Sequence, residues 1–405
     1  VIDFTAYLEE VLKGNEEIIN EIKHKASEEF IEFLDKKCAE FEESYFTLQP
    51  VTAFGEEIVS LKEVEELFEK HYKYMPLFRR SQKIKRVLEA KVKDKRDEKV
   101  RELNASVKEK LANLSEDQRV IEENNIEFQR RIAVRDIVRE VMEAKKRIAS
   151  WIDNESIVDL YKKTADVETL SYLDLPAILY LMIKLDGKKV NKEVKHIVID
   201  EAQDYSMLQF LVLQGLTGCR SYTIVGDANQ RLIKVEDEPA MLKLKKLYGG
   251  FVKNFELNKS YRSTQQIMEY ANKVLAEDAI VPFVREGKYD VEEHEVNNGD
   301  DLIDKILEIL EEYDDDEYEN IAIITKGKEE LNKIAPELKR FTKVMAFDNT
   351  DIIYRGGKVV VPSYYAKGLE FDAVIVVNFD DTTDDLVKYI MYTRALHRLS
   401  IIDVK

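Results

Sequence analysis

The stretch HIVIDEAQDYS, residues 196–206, runs three β-branched apolar residues, Ile197, Val198 and Ile199, straight into Asp200 and Glu201, with Asp204 following. A short β-branched run bounded by polar residues predicts a strand, and one apolar on both faces predicts a parallel sheet covered by helices on each side. Four further runs share this character: SYTIVGD (221–227), NIAIIT (320–325), KVVVPS (358–363) and AVIVVN (373–378). All five end in polar residues: Asp200, Asp227, Thr325, Ser363 and Asn378. In open α/β sheets ligands bind beyond the carboxyl ends of strands, so Asp200 and Glu201 are expected at a ligand site.

Upstream the pattern changes. Residues 1 to about 165 hold little Gly or Pro, and their apolar residues recur at three- and four-residue spacing. FTAYLEEVL, EEIINEIKHKASEEFIEFLDKKCAEFEESY, LKEVEELFEKHYKYM and IEFQRRIAVRDIVREVMEAKKRIASWI each predict a helix, and together they predict a charged helical bundle or arm. LDLPAILYLMIKL (173–185) predicts a helix opened by an Asp and a Pro. A chain of 405 residues has room for two or three domains at roughly 150 residues each. Its apolar fraction, 44 %, is that of a globular protein. No apolar run reaches the ~18 residues of a membrane span, so no membrane partner is expected. Cys38 and Cys219 sit in apolar patterns, which predicts free thiols and a reducing, cytoplasmic setting. The net charge of −18 excludes a wholly basic nucleic-acid module but not a local basic patch. The segment Arg79–Arg101 is such a patch; it is either a solvated helix face or a surface for phosphate or acidic protein. Glu311–Asn320 and Phe379–Asp385 are acidic.

A strand ending in Asp-Glu suits nucleotide hydrolysis. The first carboxylate can hold Mg²⁺, which prefers oxygen ligands. The second can orient and deprotonate the water that attacks a γ-phosphate. The longer DEAQD string narrows this, and VIDEAQD resembles motif II of superfamily 1 helicases of the UvrD/Rep/PcrA type. Four more segments resemble the family's later motifs in the family's order: TIVGDANQ (223–230), NKSYRSTQQIMEYAN (258–272), YAKGLEFDAVIVV (365–377) and YIMYTRALHRL (389–399). YLDLPAILYL, AKGLEFDAVIV and TRALHRL look most like the HelD branch, ATPases that bind bacterial RNA polymerase.

The resemblance implies an α/β fold of two RecA-like parallel-sheet domains, the first partial, preceded by a long helical insertion or arm. The implied divisions are 1–165 for the arm, 166–257 for the partial first domain and 258–405 for the second. ATP and Mg²⁺ are the implied cofactors. Asp200 would hold the metal and Glu201 would be the catalytic base. Gln203 and Gln230 would sense the γ-phosphate and the attacking water. Arg262 and Arg394 would place guanidinium groups on the γ-phosphate, Glu370 would accept from the ribose hydroxyl, and Gly368 would let the backbone approach closely. Read without the family, Arg262 and Arg394 are also candidates for surface ion pairs, Glu370 for a helix-start carboxylate and Gly226 for a plain turn. Tyr364 stands where relatives often have a DNA-contacting His and reads here as packing.

The phosphate-cradling loop G-x-x-x-x-G-K-[ST] is absent; LDGKKV (185–190) and RGGKVV (355–360) lack the first glycine and the hydroxyl. Either the chain is the C-terminal part of a longer protein whose N-terminal segment carries the loop, or it is a degenerate relative. Retention of Asp200, Glu201, Arg262 and Arg394 favours the first, and the isolated chain is then expected to be inactive. Motif III continues RLIKVEDEP rather than into an aromatic base-stacking segment, and the interval from Arg262 to Lys367 leaves no room for a duplex-gripping insertion. The expected function is therefore ATP-driven remodelling or release of RNA polymerase–nucleic acid complexes, with DNA, RNA polymerase and the loop-bearing segment as partners. The alternatives are a DNA-repair helicase and a non-hydrolysing scaffold of the same fold.

Overall fold

The computed structural model describes residues 4–152, 156–190, 192–236, 238–257, 259–275, 283, 285–297, 299–347, 354–379 and 383–405. Asn258, which opens both the NKSYRST segment and the expected second domain, lies outside the described residues, as do 380–382 of the acidic FDDTTDD run.

Helices cover Phe4–Leu12, Glu16–Ala26 and Glu28–Ser44. The single helix expected across 16–45 is broken at Ser27, which is extended (φ −73°, ψ 157°) and whose hydroxyl accepts the Phe30 amide at 3.1 Å. A serine able to cap a new helix competes with continuation of the old one. A hairpin of β1 (Val51–Ala53) and β2 (Glu56–Val59), unforeseen in the sequence, follows. Its turn places Phe54 and Gly55 at φ 56° and 72°, the pair of positive angles that a type I′ turn needs.

Two long helices, Leu77–Ala112 and Glu116–Ala149, form the arm. With 36 and 34 residues each is about 50 Å long at 1.5 Å per residue. Ser115 starts the second with a reciprocal cap: its hydroxyl accepts from the Gln118 amide, and the Gln118 side chain accepts from the Ser115 amide. Buried side chains stop at Val92 on the way out and resume at Val141 on the way back, so the distal halves project from the body. The basic run lies on the outgoing helix and is partly neutralised: Lys91 pairs with Glu63, and Lys95 and Lys99 with Glu56. The root shares one apolar core with the body, in which Leu34, Leu88, Ile148 and Tyr161 pack with Ala177, Leu181 and Leu208.

The first lobe carries β3 (Ile197–Ile199) and β4 (Tyr222–Ile224), paired in parallel, with helix Met207–Thr217 between them. Ile197, Ile199, Tyr222 and Ile224 pack towards Phe210 and Leu244. The opposite face is open: Val198 is 69 % and Val225 51 % exposed. The expectation of cover on both faces fails for these two strands, because no element of the described residues lies over that side.

It holds for the second lobe. Strands β5 (Glu292–Val296), β6 (Asn320–Thr325), β7 (Met345–Ala346), β8 (Gly357–Pro362), β9 (Phe371–Asn378) and β10 (Ala395–Val404) form a sheet of order β5-β10-β9-β6-β8-β7, parallel throughout. Ile321, Ile323, Ile375 and Val377 face helices Gly299–Asp315 and Lys328–Leu338. Their neighbours Ala322, Ile324, Val374 and Val376 face helices Gln265–Asn272 and Asp385–Tyr392. Alternate residues thus serve two cores, which is why the runs are apolar without a break. The fold is α/β with parallel sheets, as the sequence predicts.

Candidate active site between the two sheets

The acidic string after β3 turns sharply into a 3₁₀ turn, Ala202–Asp204. Glu201 makes that turn in the left-handed region, φ 52° and ψ 38°, which costs a non-glycine residue roughly 1–2 kcal/mol. Two backbone bonds hold the loop against β4: Val225 N–H donates to Ile199 O at 2.8 Å, and Ala202 N–H to Val225 O at 3.0 Å. Asp200 stays exposed, its Oδ1 accepting the Glu201 amide at 2.8 Å.

Gln203 organises the site from below. It is 4 % exposed; its Nε2 donates to Glu201 Oε2 at 2.6 Å and to Gln230 O at 3.2 Å, while its Oε1 accepts the Asp227 amide at 3.2 Å. Gly226 permits this approach, since a Cβ there would lie 2.6 Å from Gln203 Oε1 and 2.7 Å from Met241 Sδ. Gly226 is a close-packing position, not a plain turn. Asp227 in turn accepts from Gln230 Nε2 at 2.9 Å, which leaves Gln230 Oε1 facing the second lobe.

Across the cleft Arg394 meets it. Arg394 is 1 % exposed, and its Nη2 donates to Gln230 Oε1 at 2.7 Å. Its other partners are the carbonyls of Ile390 (3.1 Å) and Leu369 (3.2 Å) and the Thr393 hydroxyl (3.4 Å). Every one is neutral, and Arg394 has no ion pair among the described residues. Burial, with the nearby Arg262 charge, lowers its pKa from the ordinary arginine value, while Glu201, Glu370 and Asp227 act in the other direction. Arg262 pairs with Glu370 at 2.9 Å, and both are substantially exposed. Gly368 stands at φ 80°, in the left-handed region where glycine is unstrained, with open space around it.

The structure thus brings Glu201, Gln203, Gln230 and Arg394 into one hydrogen-bonded cluster and sets the Arg262–Glu370 pair within electrostatic reach. It also reveals a residue that the sequence reading missed. Lys367, its side chain 7 % exposed, pairs with Asp204 and lies 3.5 Å from Glu201 Oε2. Nothing local in the sequence foretells an ion pair across 163 positions. The acidic string and Asp227 follow the carboxyl ends of β3 and β4, whereas the second sheet meets the cleft the other way round. Glu370 immediately precedes β9 and Arg394 immediately precedes β10, so that lobe presents amino ends of strands to the cleft. Tyr364 is 7 % exposed and packs, as expected.

Comparison with known proteins now bears on this arrangement. The profile of the UvrD/REP helicase N-terminal domain matches residues 10–233, more than half of the chain. The chain belongs to the UvrD/REP helicase family. Among solved structures, this UvrD-like chain is similar to the C-terminal domain of a possible DNA helicase from Lactobacillus plantarum WCFS1, at 30 % identity over 36 % of this chain and 88 % of that one, with a TM-score of 0.31. It is also similar to the helicase of PRRSV, at 16 % identity over 54 % of this chain and 36 % of that one (TM-score 0.30). A third is the arterivirus nonstructural protein 10 helicase, at 14 % identity over 53 % and 40 % (TM-score 0.29). No curated protein matches the chain. No described helix is long and apolar enough to cross a membrane.

Proposed function

We propose that the cleft binds ATP with Mg²⁺ and that this chain is the C-terminal part of an ATP-dependent superfamily 1 enzyme. One observation carries the proposal: Arg394 is a fully buried guanidinium held only by neutral acceptors. A buried guanidinium with no carboxylate in direct contact is costly, and an anionic phosphate supplies that contact in the form guanidinium groups bind best. The donor set fits the rest. Asp200 offers an exposed carboxylate oxygen to Mg²⁺, an ion suited to such ligands. Glu201, which accepts from Gln203, would take the proton of a water at the cleft. Gln230 joins that carboxylate's loop to Arg394, so it reports the state of one lobe to the other. Arg262 would add a second guanidinium by leaving Glu370, which would then be free to accept from a ribose hydroxyl near Gly368. Bound nucleotide supplies the phosphoanhydride bond, and Mg²⁺ neutralises its charge.

The loop-bearing N-terminal segment is a further proposed partner. The open face at Val198 and Val225 and the exposed segment with Phe251 (97 %), Phe255 (85 %) and Leu257 (96 %) support it. A two-stranded sheet is marginal alone, and these side chains fit the missing strands and helices of a first RecA-like domain. That completes the proposed division into an arm (1–165), a partial first domain (166–257) and a second domain (258–405).

The substrate proposed is a cytoplasmic RNA polymerase–nucleic acid complex, as in the HelD branch. Its support is the arm, whose returning helix exposes Val120, Ile121, Phe128 and Met142 beside Arg131 and Arg135. The test is ATP turnover by this chain joined to its loop-bearing segment. Glu201→Gln should cut turnover ~10²–10⁴-fold, the usual worth of a general base, while nucleotide still binds. Equal turnover in both forms refutes the assignment. Capture of RNA polymerase, against unwinding of a tailed DNA duplex, separates remodelling from repair.

A further inference from the structure

We propose that helix Phe4–Leu12 is a strap that latches the two lobes together, with Glu9 as the latch. Helix Lys328–Leu338 of the second lobe begins after Gly327, which has no side chain to cap it. Glu9 supplies the cap from elsewhere in the chain: its Oε1 accepts the Lys328 amide at 2.9 Å and the Tyr364 hydroxyl at 2.5 Å. A Cβ at Gly327 would stand 3.0 Å from Glu9 Oε2, so the glycine leaves room for the carboxylate. Leu12 extends the contact by packing on the apolar core of the second sheet.

The same segment is fastened to the first lobe at both ends. Phe4 packs on Tyr172, with ring centroids 5.1 Å apart and the planes tilted by 42°. Beyond the helix, only Lys13, Gly14 and Asn15 separate it from helix Glu16–Ala26. That helix is pinned by Lys25 to Asp174 at 2.6 Å, where Asp174 is 1 % exposed. The lobes therefore cannot part without releasing Glu9 or unmaking the turn at Gly14, which already sits at φ 76°.

The latch is also wired to the cleft. Tyr364 lies in the short helix Ser363–Ala366, and Lys367 N–H donates to Ser363 O at 3.2 Å. Lys367 then reaches Glu201 and Asp204. One short path thus joins the strap to the acidic string after β3. On the proposed reading of the cleft, its polar contacts would exchange with bound nucleotide, whereas Glu9 would not. The strap keeps the lobes in register when those cleft contacts exchange.

The test uses paired spin labels at Lys36 on the first lobe and Arg340 on the second, both exposed, in a chain whose Cys38 and Cys219 are replaced. The parent should give one narrow distance distribution. Glu9→Ala should add a longer-distance population, Tyr364→Phe a smaller one, and exchange of the Lys328 amide should quicken about fivefold in Glu9→Ala, the usual worth of a helix cap. Quickened exchange with the parent's distances would make Glu9 a cap and nothing more, and would overturn the latch. Unchanged exchange and distances in Glu9→Ala would overturn it as well.

Discussion

Gly226→Ala tests whether the site is built on the packing of Gln203. The added methyl would lie 2.6 Å from Gln203 Oε1 and 2.7 Å from Met241 Sδ, distances that no settled Cβ tolerates. Met241 is flexible and can move aside. Gln203 cannot move without loosening its bonds to Glu201, to Gln230 O and to the Asp227 amide. Overpacking of this kind costs about 1–3 kcal/mol. Gln203→Ala removes three hydrogen bonds at ~1 kcal/mol each. In the double variant the oxygen that the methyl meets is gone, so the two costs should fall short of their sum by about 1–2 kcal/mol, a coupling typical of touching residues. Urea unfolding of the parent, both single variants and the double variant gives the coupling directly. Exchange of the Asp227 amide should quicken in either single variant. Additive costs, within ~0.5 kcal/mol, would refute the view that Gly226 is there to seat Gln203.

Asp174 is drawn up by burial, but hydrogen bonds from Lys25, Tyr161 and both donors of Ser171 outweigh that and leave its pKa below the ordinary aspartate value. A depressed pKa stabilises the fold above the ordinary value of ~3.9 and ceases to do so as pH falls through the folded value. Asp174→Asn should therefore lower the melting temperature at pH 7 and narrow its gap to the parent below pH 4, and a gap independent of pH would contradict this. Two buried arginines should behave oppositely. Arg394 has no ion pair among the described residues, so Arg394→Met should leave the melting temperature unchanged or raised while abolishing the nucleotide-dependent activity of the complete enzyme. Arg398 pairs with Glu292, Glu312 and Asp316 and lies over the rings of Tyr289 and Tyr313, so Arg398→Met should cost ~1.5–3 kcal/mol, the half-exposed carboxylates being left to water. Calorimetric melting of the two variants side by side checks both.

Much of the second lobe could be read in advance because its evidence is local. NIAIIT is β6 residue for residue, and AVIVVN lies within β9, since a strand serving two cores must be apolar at every position. β10 escaped notice. His397, Arg398 and Ser400 interrupt its apolar run, and Arg398 and Ser400 are buried only because Glu292, Glu312, Asp316 and Tyr313 reach across to satisfy them. The break at Ser27 had a local signal, a serine ahead of two glutamates, which helical periodicity on both sides outweighed.

The chain's sequence by itself determined most helices and the wholly apolar strands, the parallel character of the large sheet and the acidic and basic groups of the candidate site, because those depend on side-chain chemistry and periods of two or 3.6 residues. Tertiary structure alone decided which polar groups meet. Lys367 with Asp204, Arg394 with Gln230 and Glu9 with Tyr364 are contacts between groups far apart in the chain, and their geometry comes from how two lobes and a strap pack. It also decided that Arg394 is buried against neutral partners while Arg398 touches three carboxylates. Burial is a property of the packed fold, and it turns two arginines four residues apart into opposite energetic cases.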